Sequence, residues 1–130
     1  TRQAVAGYGI ALDLTLRDLQ NQSKQKGQPW ETAKAFDGAC PLSPFLAPDA
    51  LPDPQATDLT LHVNGELRQQ GNTRDMMLGI FELIAHISTH FTLLPGDVVL
   101  TGTPAGVGPL RAGDQLLLGL AGHGFAARVA

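Results

Sequence analysis

"LTLHVNGELRQQG" (residues 59–71) carries the clearest local signal in this sequence. Leu59, Leu61 and Val63 alternate with polar residues, the period-two pattern of a strand with one buried face. Asn64-Gly65 follows at once. A type I′ turn needs positive φ at both central positions, and Asn-Gly tolerates that best. The stretch therefore predicts a hairpin over residues 59–70.

Working outward, "MMLGIFELIAHISTHF" places apolar residues at 77, 80, 81, 84, 87 and 91. That spacing makes one apolar stripe on a helix over 76–91, stopped by the turn at Pro95-Gly96-Asp97. "DVVLTGT" then reads as a strand and "GVGPLRAGD" as a loop. "QLLLGLAGHGFAARVA" reads as two strands joined by Gly122-His123-Gly124. "PGDVVL" and "AGDQLL" echo each other too briefly to count as a repeat. Toward the N-terminus, "GYGIAL" predicts a buried strand over 7–13. Thr15 and Asp18 form a weak capping box, so a helix over 16–26 should follow, ended by Gly27 and barred by Pro29. Residues 27–58 hold six of the nine prolines. Trp30, Phe36 and Phe45 need something to pack on, which favours an ordered loop over a flexible linker. Strands outnumber the two helices without alternating with them. The fold class is α+β and β-rich, with residues 1–130 forming a single domain.

Composition excludes several classes. A net charge of −3 without basic blocks gives no electrostatic footing for nucleic acid. No apolar run could span a bilayer, so no membrane partner is expected. One cysteine, Cys40, cannot form an internal disulfide, and we expect a reducing compartment such as the cytoplasm. The chain opens "TRQAVAGYG", without Met or a capping residue, which reads as a start within a longer protein.

"ALDLTLRDLQ" (11–20) sets four strongly polar side chains directly after an apolar run. Arg17 and Gln20 lie three apart and share a helical face, with Asp13 at the strand end before them. A carboxylate, a guanidinium and a carboxamide could converge on one cavity. Carboxylate oxygen suits Mg²⁺, Mn²⁺ or Ca²⁺, and Arg grips a carboxylate with paired hydrogen bonds. An Asp–Arg ion pair at an exposed helix start explains the same residues. Lys34 has the apolar neighbours Trp30, Ala33, Ala35 and Phe36, so its ammonium should be partly buried and in need of a carboxylate. "LTGTPAGVGP" (100–109) lacks the Gly-Lys-Ser/Thr ending of a phosphate loop. Thr101 and Thr103 could cup a small anion there, or form an ordinary turn. His86 and His90 have the spacing of a metal pair without a glutamate after His86. Cys40 reads as a small core residue.

Four segments together resemble the fumarylacetoacetate hydrolase family: "GYGIALDLTLRDLQ", "KGQPWETAKAFDGACPLSPF", "LTLHVNGELRQQGNTRDMM" and "GDVVLTGTPAGVGPL". Their order and spacing agree over essentially the whole chain. The small bacterial and mitochondrial members are the most similar. The resemblance implies a mixed β-sandwich or roll, usually in a homodimer, that binds Mg²⁺ or Mn²⁺ (Ca²⁺ also) through three carboxylates. Asp13 matches the third of them. Arg17, Gln20, Lys34 and Thr103 match positions that hold the carboxylate and keto oxygens of a small 2-keto or 2,4-dioxo acid. Lys34 would also stabilise developing oxyanion charge. The implied activity is metal-dependent hydrolysis of a carbon–carbon bond in acylpyruvates such as fumarylpyruvate or acetylpyruvate. Oxaloacetate decarboxylation and keto–enol tautomerisation use the same site. The family's other two carboxylates and its His–Glu pair lie upstream of the residues matched here. The 130 residues alone are therefore expected to be inactive, and a non-catalytic dimerisation fragment is the other reading.

Overall fold

A computed structural model describes residues 2–130. The chain divides into two compact units, Thr1–Ile10 with Pro44–Ala130, and Ala11–Ser43.

The first unit is built on one antiparallel sheet. Its strands are β1 (Asp58–Val63), β2 (Glu66–Asn72), β3 (Gln115–Leu120) and β4 (His123–Arg128), in the order β2-β1-β3-β4. The expected hairpin is β1–β2. Asn64 and Gly65 adopt φ of 53° and 85°, as a type I′ turn demands. The Asn64 side chain also donates to Asp114 Oδ1 and accepts from the Gln115 amide, tying the turn to the start of β3. In the β1–β3 ladder Leu61 faces Leu118 and Val63 faces Leu116. With Leu120 these side chains are 4–7% exposed. Each such burial contributes about 1.5–3 kcal/mol. A one-residue slip would turn the whole set outward, so the apolar alternation fixes the register. The β3–β4 connection differs from the expected Gly122-His123-Gly124. Ala121 and Gly122 make the turn, with φ of 50° and 81°, and His123 and Gly124 already belong to β4.

The helix expected over 76–91 is shorter. α2 spans Ile80–Ser88. Met76 and Gly79 are extended, and Gln55 Oε1 accepts from the Ile80 amide at the helix start. At the other end Ser88 and Thr89 turn their hydroxyls onto the carbonyls of Ile84 and His86, the competition that makes such residues poor helix formers. Ile80 is buried and Phe81, Ile84 and Ile87 half-buried, whereas Met77 and Phe91 fall outside the helix and are exposed.

Two expected strands are not formed. Over 7–13 there are only two isolated bridges, Tyr8 with Leu46 and Ala11 with Leu42. The facing segment contains Pro41 and Pro44, which have no N–H to give to a ladder. "DVVLTGT" lies outside the four-stranded ladder. Its alternation is strand-like, but Gly102 at φ 105° and Pro104 interrupt its end. The α+β class stands, and the sandwich or roll is represented among the described residues by this one sheet.

The second unit holds α1, Arg17–Gln25. It ends as expected. Gly27 at φ 64° donates to Lys24 O, and the Gln28 amide donates to Ser23 O. This 6→1 and 5→2 pair is a Schellman motif, which a left-handed glycine permits. The capping box is not formed. Leu16 is the N-cap and makes no side-chain cap hydrogen bond. No helix among the described residues is long and apolar enough to cross a membrane.

Candidate functional site

Residues 12–16 of the second unit run extended against residues 33–41. The amides of Leu12, Leu14 and Leu16 donate in turn to the carbonyls of Pro41, Ala39 and Ala33. The period of two in extended chain puts Asp13 and Thr15 on one side of it. Lys34 reaches both. Its Nζ lies 2.6 Å from Asp13 Oδ1 and donates to Thr15 Oγ1 at 2.7 Å. It also donates to the carbonyls of Leu14 at 3.2 Å and Asp13 at 3.3 Å. The Lys34 side chain is 24% exposed and that of Asp13 is 56% exposed. The ammonium is thus enclosed by oxygen, while the carboxylate opens to solvent. The partly buried lysine that needs a carboxylate is found as expected.

One helical step along, Arg17 Nη1 donates to Gln20 Oε1 at 2.8 Å. Gln20 is 5% exposed, so the carboxamide is fixed against the unit while the guanidinium projects outward. Because Oε1 is engaged by Arg17, Nε2 is the end of the amide that can donate further. The alternative Asp–Arg ion pair is not formed. Asp13 pairs with Lys34, and Arg17 with Gln20. Lys24 stands 5.2 Å over the Trp30 ring, which gives that exposed aromatic its contact.

Thr103 belongs to the first unit. Its hydroxyl accepts from Gln69 Nε2 of β2 at 2.9 Å, and the residue is exposed. Two residues escape a reading of the sequence. Thr15 looks like a helix cap but holds Lys34. Its signal was its place two residues after Asp13. Gln69 has no sequence signal, because its position depends on a bulge in β2.

Other expectations are corrected. Cys40 is exposed, not a core residue, and the buried side chain beside it is Ala39. Only His86 of the histidine pair lies on α2. His90 follows the helix end, with the two rings edge to face at 5.3 Å. Among the described residues no three His, Cys, Asp or Glu side chains cluster as a metal cage would. A groove of about 610 Å³ lined by His62, Leu117, Ala126 and Arg128 holds none of the candidate residues.

The sequence matches the Fumarylacetoacetate (FAA) hydrolase C-terminal family over residues 1–129. The chain belongs to the fumarylacetoacetate hydrolase family. This family member is 60% identical over 129 residues to oxaloacetate tautomerase YcgM of Escherichia coli (strain K12), across 98% of this chain and 59% of that protein. It is 48% identical over 118 residues to mitochondrial oxaloacetate tautomerase FAHD1 of Mus musculus, across 91% of this chain and 53% of that protein. Fumarylpyruvate hydrolase from Pseudomonas aeruginosa, solved in complex with Mn²⁺ and pyruvate, is similar at a TM-score of 0.90 and 37% identity. That match covers 96% of this chain and 54% of the other. The chain therefore spans a little over half the length of these relatives.

As a metal ligand Asp13 fits in part. A hard carboxylate that opens to solvent can bind a divalent cation, and a lone carboxylate cannot hold one tightly.

Proposed function

We propose that the complete protein carrying this chain interconverts the keto and enol forms of oxaloacetate with a divalent cation. We further propose that Asp13, Arg17, Gln20, Lys34 and Thr103 serve that reaction. One observation carries the reading: the Lys34 ammonium is pinned by Asp13, Thr15 and two carbonyls, in a chain 60% identical to an oxaloacetate tautomerase.

Each residue has a role that follows from its contacts. Arg17 offers a guanidinium fork to the substrate carboxylate. Gln20, its carbonyl end already taken by Arg17, turns its amide nitrogen to the same group. Both fix the acid end, so that the reacting carbons are placed by contacts made away from them. The three N–H groups of Lys34 are all engaged here; the one that faces Asp13 Oδ1 would turn to the substrate oxygen at C2, as negative charge develops there, once the Asp13 carboxylate binds the metal. A fixed donor of this kind is worth about 10²–10³ in rate. Asp13 and two further carboxylates would hold Mg²⁺ or Mn²⁺, which supplies Lewis-acid polarisation of the keto oxygen. Thr103 would hydrogen-bond the substrate acid through its hydroxyl. The proton leaving C3 needs a base that none of these five residues provides. We assign that role to the upstream His–Glu pair that the resemblance implies.

A second reading is favoured by the likeness to fumarylpyruvate hydrolase. The same grip on a 2,4-dioxo acid would serve hydrolytic cleavage to pyruvate and a carboxylic acid. The homodimer implied by the resemblance belongs to both readings. The test is to give the complete protein, with Mg²⁺ or Mn²⁺, enol oxaloacetate and acetylpyruvate side by side. Fast loss of enol absorbance without pyruvate release supports tautomerisation. Stoichiometric pyruvate from acetylpyruvate, with oxaloacetate untouched, supports the hydrolase instead.

A further inference from the structure

We infer that Gln69 is a positioning residue for Thr103, one that sets the direction in which the Thr103 hydroxyl donates. The inference rests on the reading of Thr103 as a substrate contact.

The first observation is the register of β1 and β2. Val63 faces Glu66 and His62 faces Leu67, yet Leu61 faces Gln69. Arg68 is therefore an extra residue, a β-bulge. Had the register at the turn continued, Gln69 would face Thr60. Directly opposed residues point to the same side of a sheet. The bulge thus moves Gln69 onto the side of Leu61, which is 7% exposed.

The second observation is what Gln69 meets there. Its Nε2 donates to Thr103 Oγ1 at 2.9 Å, to Pro104 O at 2.9 Å and to Ala105 O at 3.5 Å. Two carbonyl oxygens at that spot fix which end of the amide faces the loop, since an amide oxygen there would be repelled. With Nε2 as donor, Thr103 Oγ1 must accept. A threonine hydroxyl has a single hydrogen, and this one is left for an acceptor other than Gln69. Thr103 is exposed, so a ligand can be that acceptor.

The loop is also seated on β2 by its backbone. A Cβ on Gly71 would come within 2.7 Å of Pro104 Cβ, and a Cβ on Gly106 would collide with the Arg68 carbonyl. Glycine at both positions lets residues 104–106 lie against the bulged strand. The bulge, the amide and the two glycines thus act on one loop.

The test compares Gln69→Leu, Thr103→Val and the double variant of the complete protein, by hydrogen exchange and by oxaloacetate kinetics. Gln69→Leu should speed amide exchange over residues 102–106 by about tenfold, the loss of roughly one hydrogen bond. It should raise KM about tenfold with a smaller change in kcat, and the double variant should be no worse than Thr103→Val alone. Gln69→Glu keeps the shape and reverses the hydrogen-bonding sense, so it should show the same KM defect. Unchanged exchange in Gln69→Leu, a wild-type KM in Gln69→Glu, or KM effects that multiply in the double variant would overturn the proposal. Faster exchange in Gln69→Leu with a wild-type KM in Thr103→Val upholds the hold on the loop and overturns the reading of Thr103 as a substrate contact.

Discussion

Lys34 Nζ lies 2.6 Å from Asp13 Oδ1. Stability alone does not account for this pair. Asp13 is more than half exposed, and such ion pairs contribute about 0–1 kcal/mol. Yet the ammonium takes three further oxygen partners, Thr15 Oγ1 and the carbonyls of Leu14 and Asp13. Those three would keep Lys34 in place if the Asp13 carboxylate turned to another cation. The arrangement suits a carboxylate that exchanges partners beside a cation that does not move.

Asp13→Ala in the complete protein should therefore weaken Mg²⁺ or Mn²⁺ binding by at least about tenfold, since a charged ligand is worth more than about 1.5 kcal/mol. Isothermal titration with the metal alone reads this directly. Unaltered affinity would remove Asp13 from the ligand set.

Arg17→Ala should act on binding more than on turnover. Losing a charge-assisted hydrogen bond costs about 1.5–3 kcal/mol, a rise in KM for oxaloacetate of roughly 10- to 150-fold. Gln20→Ala should raise KM as well, because Gln20 also orients the guanidinium through the 2.8 Å contact. Steady-state kinetics that show a fall in kcat at constant KM would contradict both roles.

Asp114 gives the fold a pH dependence. The Asn64 side-chain amide, and then the Arg111 backbone N–H, hold its carboxyl below the usual carboxylate range. A folded pKa below the unfolded value of about 4 means stability that is present above that pH. It is lost as pH falls through the lower, folded value. Asp114→Asn should flatten the fall of Tm below about pH 4 and leave its slope near pH 7 unchanged. An identical acid limb in the variant would refute the assignment.

Leu118 and Leu117 are neighbours on β3 with opposite fates, 6% and 48% exposed. Leu118→Ala should destabilise the protein by about 2–5 kcal/mol through lost burial and the cavity left behind. Leu117→Ala, at a surface position, should cost less than about 1 kcal/mol. Equal losses in denaturant titrations of the two variants would mean that the inward face is assigned wrongly.

What was legible in the sequence followed from local rules. Asn64-Gly65 and the flanking alternation gave the hairpin, and Gly27 gave the end of α1, because turns and caps depend on few residues. Arg17 and Gln20 were readable as partners from helical spacing alone. The strands over 7–13 and 97–103 failed because a strand is defined by its partner, and apolar alternation does not say whether one exists. α2 came out short because Gly79 and the Ser88-Thr89 hydroxyls outweighed an apolar stripe that continues past them. Thr15 reads as the cap of a helix over 16–26, whereas its hydroxyl accepts from Lys34. Gln69 could not be found at all, because one bulge at Arg68 decides which way it faces.

The most direct test of the central claim is the enol-to-keto rate of oxaloacetate in the complete protein with Mg²⁺, wild type against Lys34→Met. If the pinned ammonium stabilises charge on the substrate oxygen, the variant binds metal normally and its kcat falls about 100-fold or more. A folded, metal-loaded Lys34→Met protein that turns over at the wild-type rate would contradict the account.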